Sequence, residues 1–129
     1  MTSVRTAVVA TPGDSGRDWC ELVQALEAAG WGTLLVPDTL WTPSPFPSLA
    51  AAGAATTRLR LRTWVVAAPL RTPGALVREV SALQLLSGGR FELGIGPGRP
   101  EAQAEAERLG TAWGSGLERI AQVTAGCIR

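Results

Sequence analysis

The sequence predicts an α/β fold of four consecutive βα units on a parallel sheet. Three observations carry that expectation. Four short apolar, β-branched runs, "TAVVA" (6–10), "TLLVPD" (33–38), "LRTWVVAA" (61–68) and "FELGIG" (91–96), start about 27 to 30 residues apart. Segments of helical periodicity lie between them. Each unit is close to the roughly thirty residues that a βαβ motif needs. Continuous apolar strands alternating with helices imply a covered parallel sheet with right-handed crossovers. Two architectures accommodate four such units: half of an eight-unit (β/α)8 barrel, or a small flavodoxin-like open parallel sheet. Periodicity does not choose between them.

In chain order, "TAVVA" reads as a buried strand. The helix "DWCELVQALEAAG" follows, with Trp19, Leu22, Val23, Leu26 and Ala29 on one stripe and Gly30 as its stop. "TLLVPD" is the second strand. The alanine-rich "PSLAAAGAATT" (47–57) is the second helix. "LRTWVVAA" is the third strand, entered by Arg58, Arg60 and Arg62, which alternate with Leu59 and Leu61 and mark a solvated face. "GALVREVSALQLLSGG" is the third helix, with the stripe Leu76, Val80, Leu83 and Leu86, ended by Gly88 and Gly89. "FELGIG" is the fourth strand, and a last helix starts near Ser115.

Composition bounds the function. The 129 residues suggest one domain over 1–129, at 46% hydrophobic, 18% charged and a net charge of +1. That balance argues against nucleic acid or a membrane as a charge-recruited partner. The short N-terminal apolar run is too small for a signal core or a membrane span, so a cytoplasmic protein is expected. Every basic residue is Arg, and His, Lys, Tyr and Asn are missing. Cys20 and Cys127 form no CxxC pair, and without His no usual zinc site arises, so no metal is expected. With no Ser-His or Cys-His couple possible, an enzyme of this composition would lean on a cofactor for the hard step.

In both architectures function sits at the carboxyl ends of the strands. Those ends are "TPGDSG", "PDTLWTPSPFP", "APLRTP" and "GPGRP", which hold most of the prolines. Asp38, at the second strand's tip, is the best carboxylate candidate, either to orient a ligand or to cap a turn. On the first reading, its removal would affect activity more than stability. Arg71 and Arg99, at the third and fourth tips, could each hold an anion or be solvated loop arginines. Gly94, Gly96 and Gly98 do not make a dinucleotide motif, because Arg99 stands where the third glycine should fall.

"LQLLSGGRFELGIGPGRPEAQAEAERLG", "LLVPDTLWTPSPFPSLAAAGAATTRLRLRTWVVAAPLRTP" and "AAGWGTLLVPD" resemble segments of the bacterial luciferase-like monooxygenase superfamily. The similarity runs over roughly residues 5 to 123. It implies a TIM barrel that binds FMN or a deazaflavin coenzyme and performs hydride transfer or oxygenation on a small organic substrate. On that resemblance Asp38 and Thr39 contact flavin or substrate. Ala67, Ala68 and Pro69 form an apolar wall beside the ring, while Arg71, Gly96, Gly98 and Arg99 line the mouth. Gly94 and Gly96 become packing glycines on the fourth barrel strand.

The chain departs from the family pattern at three points. It ends after four units of eight, without the late-barrel loops that usually hold the phosphate, so it is expected to bind flavin weakly by itself. Thr39 stands where many members have His. Trp64 stands near the place where several members have a glycine beside a bulge that backs the flavin, so no such irregularity is expected here. The sequence thus reads as the N-terminal half of a flavin-dependent oxidoreductase. The alternative is a non-catalytic half-barrel acting only by assembly. Its inward strand faces, with Val8, Leu35, Val65 or Val66, and Leu93 or Ile95, are expected to be apolar and to favour a homodimer or a complementary half-barrel chain.

Overall fold

A computed structural model describes residues 3–127. The elements are β1 (Ala7–Val9), α1 (Gly16–Ala28), β2 (Thr33–Val36), α2 (Pro45–Ala55), β3 (Arg60–Thr63) and β4 (Val66–Ala67). A 3-10 turn (Ala68–Leu70), α3 (Pro73–Leu86), β5 (Phe91–Glu92), β6 (Ile95–Gly96), α4 (Ala102–Leu109) and α5 (Gly116–Cys127) complete the described chain. Cys20 is half-buried on α1, and the Cys127 side chain lies outside the described residues. No helix among the described residues is long and apolar enough to cross a membrane.

Every strand pair is parallel, in the order β1-β2-β3-β5, with β4 pairing β6 beyond. The third and fourth apolar runs are each split into two short strands. The sequential order separates the two candidate architectures. A flavodoxin-like sheet places its first strand between the second and third, whereas β1 here is an edge. The chain is therefore an α/β fold whose parallel βα units follow barrel order.

The helices cover one face of this sheet. Trp19 and Val23 of α1, Phe46, Leu49 and Ala52 of α2, and Leu76 and Leu83 of α3 pack against Leu34, Val36, Leu61, Val66 and Phe91. The Trp19 indole N–H donates to the Ser48 carbonyl at 2.9 Å, so this buried ring has its polar atom satisfied. Leu22 and Leu86, assigned above to buried stripes, are 42% and 66% exposed. The sequence reading also omits α4. Its buried residues are Ala102, Glu105 and Ala106, and alanines give too little contrast for a visible stripe.

The expected apolar inward face is corrected by the register. Val8 pairs with Leu34, and Leu34 faces the helices, so Val8 does too. Val66, Leu93 and Ile95 also pack on the helix side. Leu35 does lie on the uncovered face, as expected, and it shares that face with Ala7 and Val9, Thr33, Arg60 and Arg62, and Glu92. Arg60 and Arg62 are thus not simply solvated. Arg60 Nε donates to Glu92 Oε1 at 2.7 Å, and Arg5 reaches the same oxygen at 3.0 Å.

Two polar side chains tie the helices to the sheet. Arg90, from "LSGGRF", donates to Ser87 O (2.8 Å), Thr56 Oγ1 and Leu59 O (both 3.0 Å), Gly53 O (2.8 Å) and Thr56 O (3.3 Å). It joins the ends of α2 and α3 to the start of β3, using the rigid donor fork that lysine lacks. Glu27, near the end of α1, accepts the backbone N–H groups of Thr57, Arg58 and Leu59 at 3.1, 2.7 and 2.7 Å.

Burial works to raise the Glu27 pKa, but these backbone donors, aided by the Arg58 charge, outweigh it and lower it from 4.5 to about 2. A carboxylate with a depressed folded pKa stabilises the fold above its unfolded value, and the contribution is lost as pH falls from about 4.5 towards 2. Allowing for partial exposure, this amounts to about 2 kcal/mol. Urea unfolding of Glu27→Gln at pH 7 is expected to show a loss of that order. Its stability should also fall less steeply than that of the unaltered chain between pH 4.5 and 2; parallel profiles would contradict the assignment.

Candidate functional site

The site begins with a bulge. Arg62 pairs with Glu92 in the lower sheet, while Val66 pairs with Ile95 in the upper one, so the third run carries one more residue than the fourth between these pairs. Trp64 and Val65 take up the difference, and the peptide between them is cis. This corrects the expectation that a bulky Trp64 excludes an irregularity. The indole meets no obstacle because it points outwards and is 50% exposed.

Thr63 holds the bulge. Fully buried, its hydroxyl accepts the Gly94 N–H at 2.9 Å and donates to the Gly94 carbonyl at 2.7 Å. The same carbonyl accepts the Val66 N–H at 2.7 Å. One side-chain hydroxyl therefore takes up both main-chain polar groups of Gly94, in place of the backbone pairing that the bulge interrupts. The close approach requires glycine, since a Cβ at residue 94 would lie 2.1 Å from the Thr63 carbonyl oxygen.

The extra residue reverses the facing of all that follows. Val66 enters the core, Val65 is 40% exposed, and Ala67 turns to the uncovered face beside Gly96. Here, at the carboxyl ends of the strands, lies a cavity of about 420 Å³. Trp64, Val65, Ala67, Gly96 and Pro97 give it an apolar wall, opposed by Pro37, Asp38 and Thr39, with Gly98 and Arg99 at the mouth. Gly98 is required by its backbone, with φ of +86, and by Trp113, whose ring would lie 2.9 Å from a Cβ.

The cations expected at the rim are already engaged. Arg71 makes a two-pronged pair with Asp38, Nη1 to Oδ2 at 2.5 Å and Nη2 to Oδ1 at 3.1 Å, and its guanidinium lies 5.2 Å from the centre of the Phe46 ring. Asp38 Oδ2 also accepts the Ala67 N–H at 3.1 Å. Arg99 Nη2 meets Glu105 Oε1 at 2.6 Å, and its guanidinium lies 4.8 Å from the Trp41 ring centre. Trp41 is 71% exposed, so this stack links the loop after β2 to the loop after β6 across the mouth.

Six of the residues singled out from sequence line the cavity: Asp38, Thr39, Ala67, Gly96, Gly98 and Arg99. Arg71 lies in an adjoining hollow of about 260 Å³ beyond Asp38. Ala68 and Pro69 are buried in the 3-10 turn and do not line the cavity. Pro37, Trp64, Val65, Pro97 and the Trp41 strap escape the sequence reading. In "TWVVAA" either valine could face inwards, and only the bulge decides.

Fold and site together define a class: a βα-barrel arrangement with an apolar, bulge-walled cavity at the strand carboxyl ends. A family profile described as luciferase-like monooxygenase matches residues 1–124. The chain belongs to the luciferase-like monooxygenase family. It is 36% identical over 115 residues to an F420-dependent glucose-6-phosphate dehydrogenase of Beutenbergia cavernae, covering 82% of this chain and 33% of that protein. Its fold matches monooxygenase RslO1 of Streptomyces bottropensis with a TM-score of 0.80 at 22% identity, over 95% of this chain and 42% of that one. It also matches the oxygenating constituent of 3,6-diketocamphane monooxygenase of Pseudomonas putida, solved with FMN, at a TM-score of 0.76 and 18% identity, over 94% and 37%. The chain thus spans about a third to two fifths of the length of these proteins.

Asp38 is bonded as a structural carboxylate, at 7% exposure with three acceptor contacts. Removing one partner of a buried ion pair leaves the other uncompensated. Asp38→Ala is expected to lower unfolding stability by about 3 kcal/mol, with Asp38→Asn losing less because its carbonyl still accepts the Ala67 N–H. Thermal melts of both variants test this; an unchanged midpoint for Asp38→Ala would return the residue to a purely ligand-facing role.

Proposed function

We propose that this chain supplies the N-terminal half of the active site of a flavin- or deazaflavin-dependent oxidoreductase acting on a small organic substrate. The observation that carries the reading is the bulge-walled cavity. It has the volume of a small-molecule site, an apolar side, and a few polar groups, those of Asp38, Thr39 and Arg99.

The residues present suit a planar ring better than its phosphate. Gly96 leaves the wall flat, since a Cβ there would come within 3.1 Å of Val65 Cγ2. Val65, Ala67 and Pro97 would contact one side of the ring, and the Trp64 indole would border it. A bound flavin or deazaflavin supplies the two-electron chemistry, taking or giving hydride. The chain's own part is to orient the ring, to exclude water along the apolar wall, and to present the Thr39 hydroxyl, now 2.7 Å from Thr42 Oγ1, as a hydrogen-bonding group. Arg71 and Arg99 each already face a carboxylate, so neither offers a phosphate a free charge. Proton transfer has no His, Lys or Tyr of this chain to draw on.

Fluorescence titration with FMN and with F420 tests the proposal. Saturable binding is expected in the high-micromolar range, because charge-assisted bonds to the phosphate, each contributing about 1.5–3 kcal/mol, are missing. Trp64→Ala, at an exposed position, should weaken binding several-fold while leaving the melting temperature nearly unchanged. Absence of saturation at millimolar ligand, or binding indifferent to Trp64→Ala, would overturn the reading.

A further inference from the structure

The uncovered face of the sheet carries a charge pattern that the cavity does not use. Its rows hold Arg60 and Arg62 of β3 and Glu92 of β5, and Arg5, just before β1, reaches across to Glu92. Arg5 and Glu92 belong to opposite edges of the four-stranded sheet, so their contact spans the face. Glu92 serves two cations at once, Arg5 at 3.0 Å and Arg60 at 2.7 Å. Arg62 has no carboxylate partner in the described structure. Its guanidinium lies 5.7 Å from the Trp64 ring centre, and its Nε is buried with no acceptor. Three cations thus face one anion on a surface with no helix over it.

The main-chain edges are open as well. Among the described strands β1 pairs only with β2, β5 only with β3, and β6 only with β4. Such edges are templates for further strands. A second copy of this chain would satisfy the edges, but it would bring three more arginines and one glutamate onto the first set. Like charges brought together in a closed interface oppose association and select against that partner.

We propose that the occupant of this face is a complementary half-barrel segment whose strands present carboxylates inwards, and that a second copy of this chain is excluded by charge. The inference rests on the half-barrel reading above. Arg62 is the residue that most needs the partner: a carboxylate opposite its guanidinium would neutralise the unpaired charge in one contact. Val9 and Ala7 supply the apolar part of the same interface.

A charge-swapped copy of this chain is the probe, because it is a half-barrel with an acidic inward face. Sedimentation velocity is run on the unaltered chain, on Arg60→Glu/Arg62→Glu, and on their equimolar mixture at 0.15 and 0.5 M salt. The expected result is a mixture that associates at least tenfold more tightly than the unaltered chain does with itself, with the gain reduced at high salt. Circular dichroism checks folding, since the double substitution sets Glu92 beside a new carboxylate. Arg62→Glu, which disturbs no ion pair, is the second variant and should give the same preference for the mixture at smaller magnitude. A mixture no tighter than the unaltered chain alone, or an unaltered dimer insensitive to salt and to Arg62→Glu, overturns the proposal. No cofactor enters the measurement, so its failure is distinct from failure of the flavin reading.

Discussion

The bond set between the Thr63 hydroxyl and both main-chain polar groups of Gly94 is the constraint on which the site depends. A parallel sheet that gains one residue on one strand leaves ladder groups unpaired, and buried unpaired groups are costly. A small hydroxyl side chain aimed across the gap restores both bonds, but only if the partner strand comes close enough to touch. Glycine at 94 permits that approach, and any Cβ there would collide with the Thr63 carbonyl. Everything above the bulge inherits the reversed facing. Val66 becomes core, Val65 and Trp64 become surface, and Ala67 and Gly96 become part of the cavity's apolar wall.

Below the bulge, the sheet is secured from the helix side. Arg90 gathers acceptors from the ends of α2 and α3 and the start of β3, and Glu27 clamps three successive amides from the end of α1. These ties fix where β3 begins. Asp38 does the corresponding work above, holding the Ala67 amide and Arg71 together, so that the loop after β2 and the turn after β4 are joined into one wall. Site and scaffold therefore share residues: the carboxylate nearest the cavity is also the brace of its rim.

Much of this was legible in the sequence. Four apolar runs and the helical stretches between and after them place the strands and four of the five helices, because burial of continuous apolar segments leaves few alternatives. Strand order is not legible in periodicity; the sequential pairing of the parallel strands decides it. The strand-tip rule finds Asp38, Thr39, Ala67, Gly96, Gly98 and Arg99, since position along a parallel sheet decides which residues meet at its end. It says nothing of pairing, so Asp38 and Arg71 read as two free groups when they are one ion pair. The inward and outward faces of the third run are ambiguous in the sequence because a period-two pattern survives a one-residue bulge only up to the bulge. The small-residue stripe of α4 carried too little hydrophobic contrast to be seen.

Two-dimensional 1H–15N shift mapping during an FMN titration at millimolar concentration tests the central claim, that the bulge builds the ring-binding wall. The largest amide shifts are expected at Val65, Ala67, Gly96 and Gly98, with the Trp64 indole moving alongside them. Shifts concentrated instead between α3 and α5, around Pro73 and Gln122, or spread without a focus, would contradict it.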